Sequence, residues 1–147
     1  MWTPLFLTYL AQANAELHQF KKAWANIHEA MIAVERTKEN WCEAEINRVA
    51  GELALLGVEP DEEKAEAYFA KALDIAQKQQ AKSWELRATM GLARLLRAQG
   101  KLTRARDILA PVYGWFTEGF ETVDLLEAKL LLEELAQDQP IDATSSA

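Results

Sequence analysis

The sequence predicts an all-α fold in which antiparallel helical hairpins stack into a solenoid. Half of the 147 residues are apolar, but only six are glycine and four are proline. Strong helix formers such as Ala, Leu, Glu and Lys dominate nearly every window. A unit of tryptophan, apolar stripe, turn and second apolar stripe occurs three times along the sequence. This repetition predicts seven helices, namely three hairpins and one last helix that caps the stack.

The first helix of each predicted hairpin follows a tryptophan. Trp2, Trp41 and Trp84 each stand five residues before an apolar stripe with the spacing of one helix face. The three stripes are Leu7, Leu10 and Ala11; Ile46, Val49, Ala50 and Leu53; and Thr89, Leu92, Ala93 and Leu96. Because an aromatic residue at a repeated position usually packs inside the array, we interpret each tryptophan as a wedge against the preceding hairpin. An aromatic anchor for a ligand is the alternative interpretation.

The second helix of each predicted hairpin begins its stripe with a small residue. These stripes are Ala23, Ile27 and Ala30; Ala65, Phe69 and Ala72; and Ala105, Leu109 and Val112. The predicted hairpins span residues 2–36, 40–80 and 82–118. The middle hairpin has three extra residues, which we place in the turn Gly57–Asp61.

One more stripe follows the three hairpins without a second helix after it. It consists of Ala128, Leu131, Leu132 and Leu135. The stripe predicts a capping helix over residues 122–137, so the repeat domain is predicted to cover residues 1–137. Residues 138–147 are mostly small and polar, which predicts a disordered tail.

Residues that begin and end helices occur at the expected points. The predicted helix starts are Thr3 followed by Pro4, Asn40 with Glu43 as a capping box, and Asp61. Gly57 and Gly100 follow apolar stripes, where glycine commonly ends a helix in a left-handed conformation. Pro111 lies inside the sixth predicted helix, and we expect it to kink or break that helix because proline removes a backbone donor.

The repeated pattern resembles the tetratricopeptide repeat (TPR), a family of antiparallel helix pairs. The segment KAEAYFAKALDIA provides the closest match, with Ala65, Phe69 and Ala72 at the family's spacing, and Gly100 falls where the family prefers glycine. The resemblance covers nearly the whole sequence. It implies a right-handed, TPR-like solenoid whose first helices line a concave groove. The sequence departs from the family in its period of about 40 residues instead of 34, and in the absence of closing prolines.

A narrower resemblance covers residues 64–135, and its clearest parts are ALDIAQKQQAKSWELRATMGLARLLRAQGK and ARDILAPVYGWFTEGF. This region is similar to the repeat segments at the C-terminal end of large bacterial signalling proteins that also contain a nucleotide-cyclase or ATPase module. The sequence itself has no Gly-rich phosphate loop. The resemblance implies a regulatory or docking role. It provides the alternative function, a segment that senses a small ligand for an attached cyclase or ATPase.

Composition and charge argue against several classes of protein. The net charge of −7 disfavours a nucleic-acid partner, because a phosphate backbone needs a positive surface. The single cysteine, Cys42, cannot form an intramolecular disulfide, which favours a reducing compartment such as the cytoplasm. The apolar start of the sequence has no Lys or Arg before it, so we do not interpret it as a signal peptide. No stretch reaches the ~18 apolar residues that a membrane span needs.

The resemblance to the TPR family implies that a partner lies in the groove formed by the first helices. Transferred position by position, it selects Tyr9, Gln12, Asn47, Arg48, Arg87, Arg94 and Arg97 as the main groove residues. It also selects Thr8, Glu16, Ala44, Leu55 and Met90. Four of the main residues are arginines, and guanidinium groups bind carboxylates through forked hydrogen bonds. We therefore expect a protein or peptide partner, in particular an acidic segment or the C-terminus of a polypeptide.

Two alternatives for the arginines stay open. In the first, Glu45 and Glu52 of the second hairpin neutralise them as solvated ion pairs. In the second, the acidic segment 118–147 of another copy supplies the carboxylates, which gives self-association or autoinhibition. The TPR family's own carboxylate clamp uses Lys and Asn where this sequence has Thr8 and Gln12, so that clamp is not reproduced.

The sequence predicts a binding protein and not an enzyme, with no cofactor, metal or catalytic residue. His18 and His28 are ten residues apart on different predicted helices, without the Glu or Cys spacing of a zinc or di-iron site. Cys42 has no histidine near it in sequence. A helical bundle with a metal in its core is the third class considered.

Overall fold

A computed structural model of the protein describes residues 3–38 and 40–138, and every secondary-structure element in these ranges is an α-helix. The helices are α1 (Pro4–Glu16), α2 (Phe20–Thr37), α3 (Glu43–Leu55), α4 (Glu62–Lys78), α5 (Lys82–Ala98), α6 (Leu102–Trp115) and α7 (Val123–Asp138). The prediction of an all-α fold with seven helices is therefore confirmed.

Each helix packs against the next one in sequence, and the odd-numbered helices also contact one another. The additional contacts join α1 to α3, α3 to α5, and α5 to α7. Among the described helices, no Cα atom of α2 lies within 8 Å of one in α4, and the same holds for α4 and α6. The odd-numbered helices therefore form a continuous layer, whereas the even-numbered helices are spread apart.

The core consists of two apolar clusters in sequence along the stack. The first is built on α1, α2 and α3 around Ile27 and Ile46, and the second extends from α4 to α7 around Phe69, Leu96 and Leu109. Each of these side chains is fully buried, which stabilises the fold by about 1.5–3 kcal/mol per side chain before the entropy of ordering is subtracted. The hydrophobic effect on these clusters is what holds the helices together.

The predicted stripes are buried in the structure with three exceptions. Leu10 is 38 % exposed, because it faces away from α2 and α3 at the end of the stack. Val112 and Leu132 are half-buried at the edge of the second cluster. The stripes of all seven helices are therefore buried apart from these edge positions, but the pattern did not select the buried Leu86, Leu95 and Leu125, and Met90, predicted for the groove, is 2 % exposed.

Trp24 on α2, which the repeat pattern did not select, connects the two clusters. Its ring centroid lies 6.0 Å from that of Tyr68 on α4, and the Lys64 ammonium stands 4.2 Å from the ring centroid. Because α2 and α4 have no close backbone contact, this aromatic pair fills the space between them. The wedge between neighbouring hairpins is therefore Trp24.

Two of the predicted helix starts are confirmed and one is wrong. The Phe6 amide donates to Thr3 Oγ1 at 3.3 Å, and the Lys64 amide donates to Asp61 Oδ1 at 2.9 Å. Asn40 does not cap α3. The helix begins only at Glu43, after a turn in which the Glu43 amide donates to the backbone oxygen of Asn40.

Three of the helix ends share one turn geometry. The second residue after the helix adopts a left-handed conformation, with φ of 58° at His18, 55° at Gln80 and 77° at Gly100. In each case the next amide donates back to the helix, for example from Lys101 to the oxygen of Leu96 at 2.8 Å. The prediction for Gly100 is confirmed, and Gly57 also has positive φ, 104°.

Of the two outcomes expected for Pro111, a kink or a break, the break does not occur, since α6 continues through Pro111 to Trp115. Proline has no amide hydrogen to donate to the oxygen of Asp107, and Asp107 and Pro111 are both exposed. The last described helix, α7, includes Asp138, one residue beyond the predicted helix. Residues 139–147 and Trp2 lie outside the described residues.

No helix within residues 3–38 and 40–138 is both long and apolar enough to cross a bilayer.

Candidate functional site

The seven main groove residues of the prediction lie on α1, α3 and α5, three helices that contact one another in that order. We call the surface of α1, α3, α5 and α7 the odd-helix face. Gln12 and Glu52 line one cleft between α1 and α3, and Arg87 of α5 reaches Glu45 of α3. The structure therefore brings these residues onto adjacent helices, but it gives them very different environments.

Arg48 is buried and fully engaged within the protein, with only 6 % of its surface exposed. Its Nε and Nη2 atoms donate to Glu45 at 2.8 and 2.6 Å, and its Nη1 atom donates to Glu52. Burial alone would lower the pKa of Arg48, but hydrogen bonding to Glu45 and the charges of Glu45, Glu52 and Asp124 raise it above its ordinary value. The guanidinium stays charged, and all three of its nitrogens have carboxylate partners.

Glu45 is 1 % exposed and joins α3 to α5. Its Oε1 atom accepts a hydrogen bond from Arg48 and also lies 2.8 Å from Nη1 of Arg87. The ion pairs expected for Glu45 and Glu52 are therefore present, but the pair that involves Glu45 is buried and not solvated. A buried pair of this kind fixes geometry, because removal of one partner leaves an uncompensated charge in the interior.

Asn47, the neighbour of Arg48, is also buried, with 1 % of its surface exposed. Its amide nitrogen donates to the backbone oxygen of Glu43 at 2.9 Å. Within the described residues, its Oδ1 atom has no hydrogen-bond partner. The predicted groove positions of α3 thus lie below the surface, since α3 is packed between α1, α4 and α5.

The arginines of α5 form a row that faces the acidic side of α7. The nitrogen–oxygen pairs are Arg87–Asp124 (3.6 Å), Arg94–Glu127 (3.3 Å), Arg97–Glu134 (2.6 Å) and Arg97–Asp138 (2.6 Å). The hydrogen bond to Asp138 is the main cause that raises the pKa of Arg97, with a smaller opposing effect of burial and further support from Glu134. The sequence led us to expect a partner's carboxylates at these arginines. In the structure, α7 of the same protein supplies carboxylates to them.

The α5 arginines remain partly accessible in spite of these ion pairs. The side chains of Arg87, Arg94 and Arg97 are 28 %, 48 % and 36 % exposed. Exposed ion pairs are weak, so another carboxylate can replace those of α7 without the cost of burying a charge. The sequence held a signal for this arrangement: Asp124, Glu127, Glu134 and Asp138 recur at helical spacing next to the basic block.

A cleft of about 320 Å³ lies between α1 and α3 on the odd-helix face. Its lining is mainly apolar, and polar groups stand at its edges. The lining residues are Ala11, Gln12, Ala15, Glu16, His18, Val49, Glu52, Leu53 and Leu56. Gln12 and Glu16 were predicted to face a groove, and both line this cleft. Tyr9 is one turn away on α1 and 47 % exposed.

Of the two repeat tryptophans that the structure describes, Trp41 is largely exposed and Trp84 is partly buried. Trp41 lies in the turn before α3 and is 52 % exposed. Trp84 is partly buried, and the Arg87 guanidinium carbon lies 5.8 Å from its ring centroid. The wedge interpretation is therefore wrong for Trp41, whose turn extends outside the stack, and the equivalent packing role belongs to Trp24.

Groups with catalytic potential are scattered. Within the described ranges, no cluster of three or more His, Cys, Asp or Glu side chains is placed to hold a metal ion. Cys42 is completely buried, and His18 and His28 are exposed on different elements. Comparison of the sequence with protein-family models and with curated proteins finds no match.

Proposed function

We propose that this protein is a non-catalytic scaffold that binds a peptide or protein segment on its odd-helix face, and that its hairpins form a right-handed, TPR-like solenoid. The observation that carries the proposal is the continuous contact between α1, α3, α5 and α7, combined with the separation of α2, α4 and α6. A stack of this kind curves towards the layer in which its helices touch. The odd-helix face is then the concave side, and it holds both the cleft and the arginine row.

The partner that fits the arginine row is an acidic segment. Arg94 and Arg97 are accessible cations of this face, and their carboxylate partners on α7 are themselves 37–50 % exposed. An incoming carboxylate replaces one exposed ion pair by another, so little desolvation opposes it. Arg48 and Arg87 play a different part, because their contacts with the buried Glu45 hold α3 and α5 in position.

A random-peptide selection followed by titration tests this function. Twelve-residue peptides are selected on the wild-type protein, and the enriched peptides are titrated against Arg94→Gln/Arg97→Gln. We expect enrichment of Asp and Glu in the selected peptides, and an affinity at least about tenfold lower for the double variant, since charge-assisted hydrogen bonds are lost.

Arg104→Gln serves as the matched control for this experiment. Arg104 lies on α6, is 55 % exposed and pairs with Glu66 of α4, so like Arg94 it is an exposed arginine paired with another helix, but it is not on the odd-helix face. Its replacement leaves peptide affinity unchanged if the proposal is right. Absence of any selected peptide, or equal binding to both variants, contradicts it.

The cleft between α1 and α3 favours a second candidate, a regulatory segment that senses a small ligand for an attached catalytic module. Its volume of about 320 Å³ and its apolar lining are in the range of small-molecule sites. Titration with the neutral apolar dye Nile red tests this candidate. It predicts saturable binding that is lost in Leu56→Trp, which fills the cleft, and kept in Val58→Trp, since Val58 is 99 % exposed and outside it. A dye that shows no saturable binding, or binds both variants equally, rejects this candidate.

A further inference from the structure

The cleft between α1 and α3 has an apolar floor and an acidic rim. Ala11, Val49 and Leu53 line it, belong to the first apolar cluster and are only 1–2 % exposed, so they form the floor. Glu16 and Glu52 stand at the rim, and among the described lining residues there is no lysine or arginine. An apolar side chain therefore fits the floor of the cleft, and a positive charge beside it fits the rim.

The two carboxylates of the rim can accept another cation. Glu52 is 38 % exposed, and it accepts the hydrogen bond from Arg48 through one of its two oxygens, Oε1. Glu16 is exposed at the end of α1, and no salt bridge within residues 3–38 and 40–138 involves it. Because both carboxylates are in contact with water, a cation that approaches them loses little hydration. Charge complementarity therefore favours a Lys or Arg next to the apolar side chain.

The cleft and the arginines of α5 lie at the same height on the odd-helix face. Short turns join the consecutive helices α1 to α5, so neighbouring helices run antiparallel and the odd-numbered helices run parallel. The second halves of α1 and α3 line the cleft, and Arg94 and Arg97 stand in the second half of α5. An extended segment laid across these helices therefore meets both places.

The distance between the two places determines how many residues of a segment lie between them. The cleft lies between α1 and α3, whereas Arg94 and Arg97 lie between α5 and α7, since both pair with carboxylates of α7. Packed helices stand ~8–10 Å apart, so two helix spacings, roughly 16–20 Å, separate the cleft from these arginines. An extended chain covers about 3.3 Å per residue, and the gap therefore corresponds to about five or six residues.

We propose that the cleft holds a large apolar residue of the bound segment, next to a Lys or Arg, while acidic residues about five or six positions away bind Arg94 and Arg97. This inference rests on the proposed function, because it assigns a second contact to the same segment. It also gives the segment one direction of binding. The reversed segment places its acidic residues beside Glu16 and Glu52 and its basic residue beside the arginines, and like charges then repel.

Three synthetic peptides test the second contact by fluorescence anisotropy. The two-group peptide has a Lys-Leu-Lys group and a Glu-Asp-Glu group at the proposed spacing, joined by Gly and Ser. In the acid-only peptide, Ser replaces each residue of the Lys-Leu-Lys group. We expect the two-group peptide to bind at least about tenfold more tightly, because burial of its leucine in the cleft contributes roughly that factor. The third peptide has the two groups adjacent and should lose this gain.

Matched variants of the protein locate the gain. Leu56→Trp fills the cleft and should abolish the gain, whereas Val58→Trp should keep it, since Val58 is 99 % exposed and outside the cleft. Glu16→Gln should lower the affinity for the two-group peptide about two- to fivefold, because one exposed ion pair is lost. Glu29→Gln is its control, since Glu29 is exposed on α2, and should have no effect. Circular dichroism checks that the four variants remain folded.

The acid-only peptide distinguishes failure of this inference from failure of the proposed function. If it binds and weakens in Arg94→Gln/Arg97→Gln, but the Lys-Leu-Lys group adds no affinity, this inference is overturned and the proposed function stands. A gain that persists in Leu56→Trp, or with the two groups adjacent, also overturns it. So does Nile red that stays bound in the cleft at saturating two-group peptide, which assigns the cleft to a small apolar ligand. Absence of binding by all three peptides contradicts the proposed function as well.

Discussion

The ring of Phe69 on α4 lies directly against the backbone of Gly91 on α5, so that a Cβ atom added at position 91 would stand 2.6 Å from Phe69 Cε1. Gly51 on α3 contacts the same ring, with a corresponding distance of 2.7 Å. One aromatic ring therefore sets the spacing of three helices, and the absence of two side chains makes room for it.

Replacement of Gly91 by alanine is expected to destabilise the protein by about 1–3 kcal/mol, because overpacking outweighs the gain in helix propensity of about 1 kcal/mol. Urea unfolding measures the change. Gly114→Ala on α6 is the matched control, since nothing lies within 4 Å of its added Cβ, and it should be neutral or slightly stabilising. Phe69→Leu in the Gly91→Ala background should recover part of the loss if the ring is the obstacle. Equal effects of the two alanine substitutions would contradict this packing.

Gln80→Gly is expected to stabilise the protein by about 0.5–1 kcal/mol. Gln80 ends α4 with φ of 55°, a left-handed conformation that costs free energy in any residue with a Cβ. Gly100 ends α5 in the same turn with φ of 77°. Gly100→Ala should therefore lower stability by about 1 kcal/mol. Thermal unfolding measures both changes. If the melting temperatures of both variants shift in the same direction, the two turns are not equivalent.

Glu45→Gln is expected to cost about 3–5 kcal/mol, because it leaves the buried Arg48 without its main counter-charge. Glu52→Gln should cost less than about 1 kcal/mol, since Glu52 is 38 % exposed and accepts only a single hydrogen bond from Arg48. Chemical denaturation of both variants gives the comparison. Similar losses for the two would mean that the pair is effectively solvated.

The attachment of α7 is expected to depend on its apolar side and not on its ion pairs. Leu131→Ala should cost about 2–5 kcal/mol, because Leu131 is 3 % exposed in the second cluster. Arg94→Gln breaks the exposed pair with Glu127 and should cost under about 1 kcal/mol. Hydrogen exchange of α7 amides distinguishes the two effects. Fast exchange in Arg94→Gln would show that the charges hold the helix.

Much of the fold could be predicted from the sequence, because buried residues recur along each helix at the spacing of one helix face. Ile27, Ile46, Phe69, Leu96 and Leu109 were all placed on core stripes, and each is buried. Helix ends were harder. Asn40 has the right residue type for a cap, but the turn before α3 runs two residues further, and residue type alone does not determine turn length.

The candidate site was less predictable, because exposure depends on how many neighbours a helix has. Arg48 and Arg97 were both predicted to face the groove, yet Arg48 lies on a central helix and Arg97 beside the last described one. The helical wheel also gave no reason to pair α5 with α7, since it treats each helix alone. Charge spacing compared between helices would have found that pairing.

The separation of α2 from α4 has a mechanical consequence. On the odd-helix side, any bending of the stack must shear packed backbones against each other. Between α2 and α4, the ring contact of Trp24 with Tyr68 and the nearby Lys64 resists it. The stack is therefore stiffer on its odd-helix side than on its even-helix side. The joint between the first and second hairpins opens and closes on the even-helix side while the odd-numbered helices stay in contact. The indole ring of Trp24 determines how closely α2 and α4 approach each other at this joint.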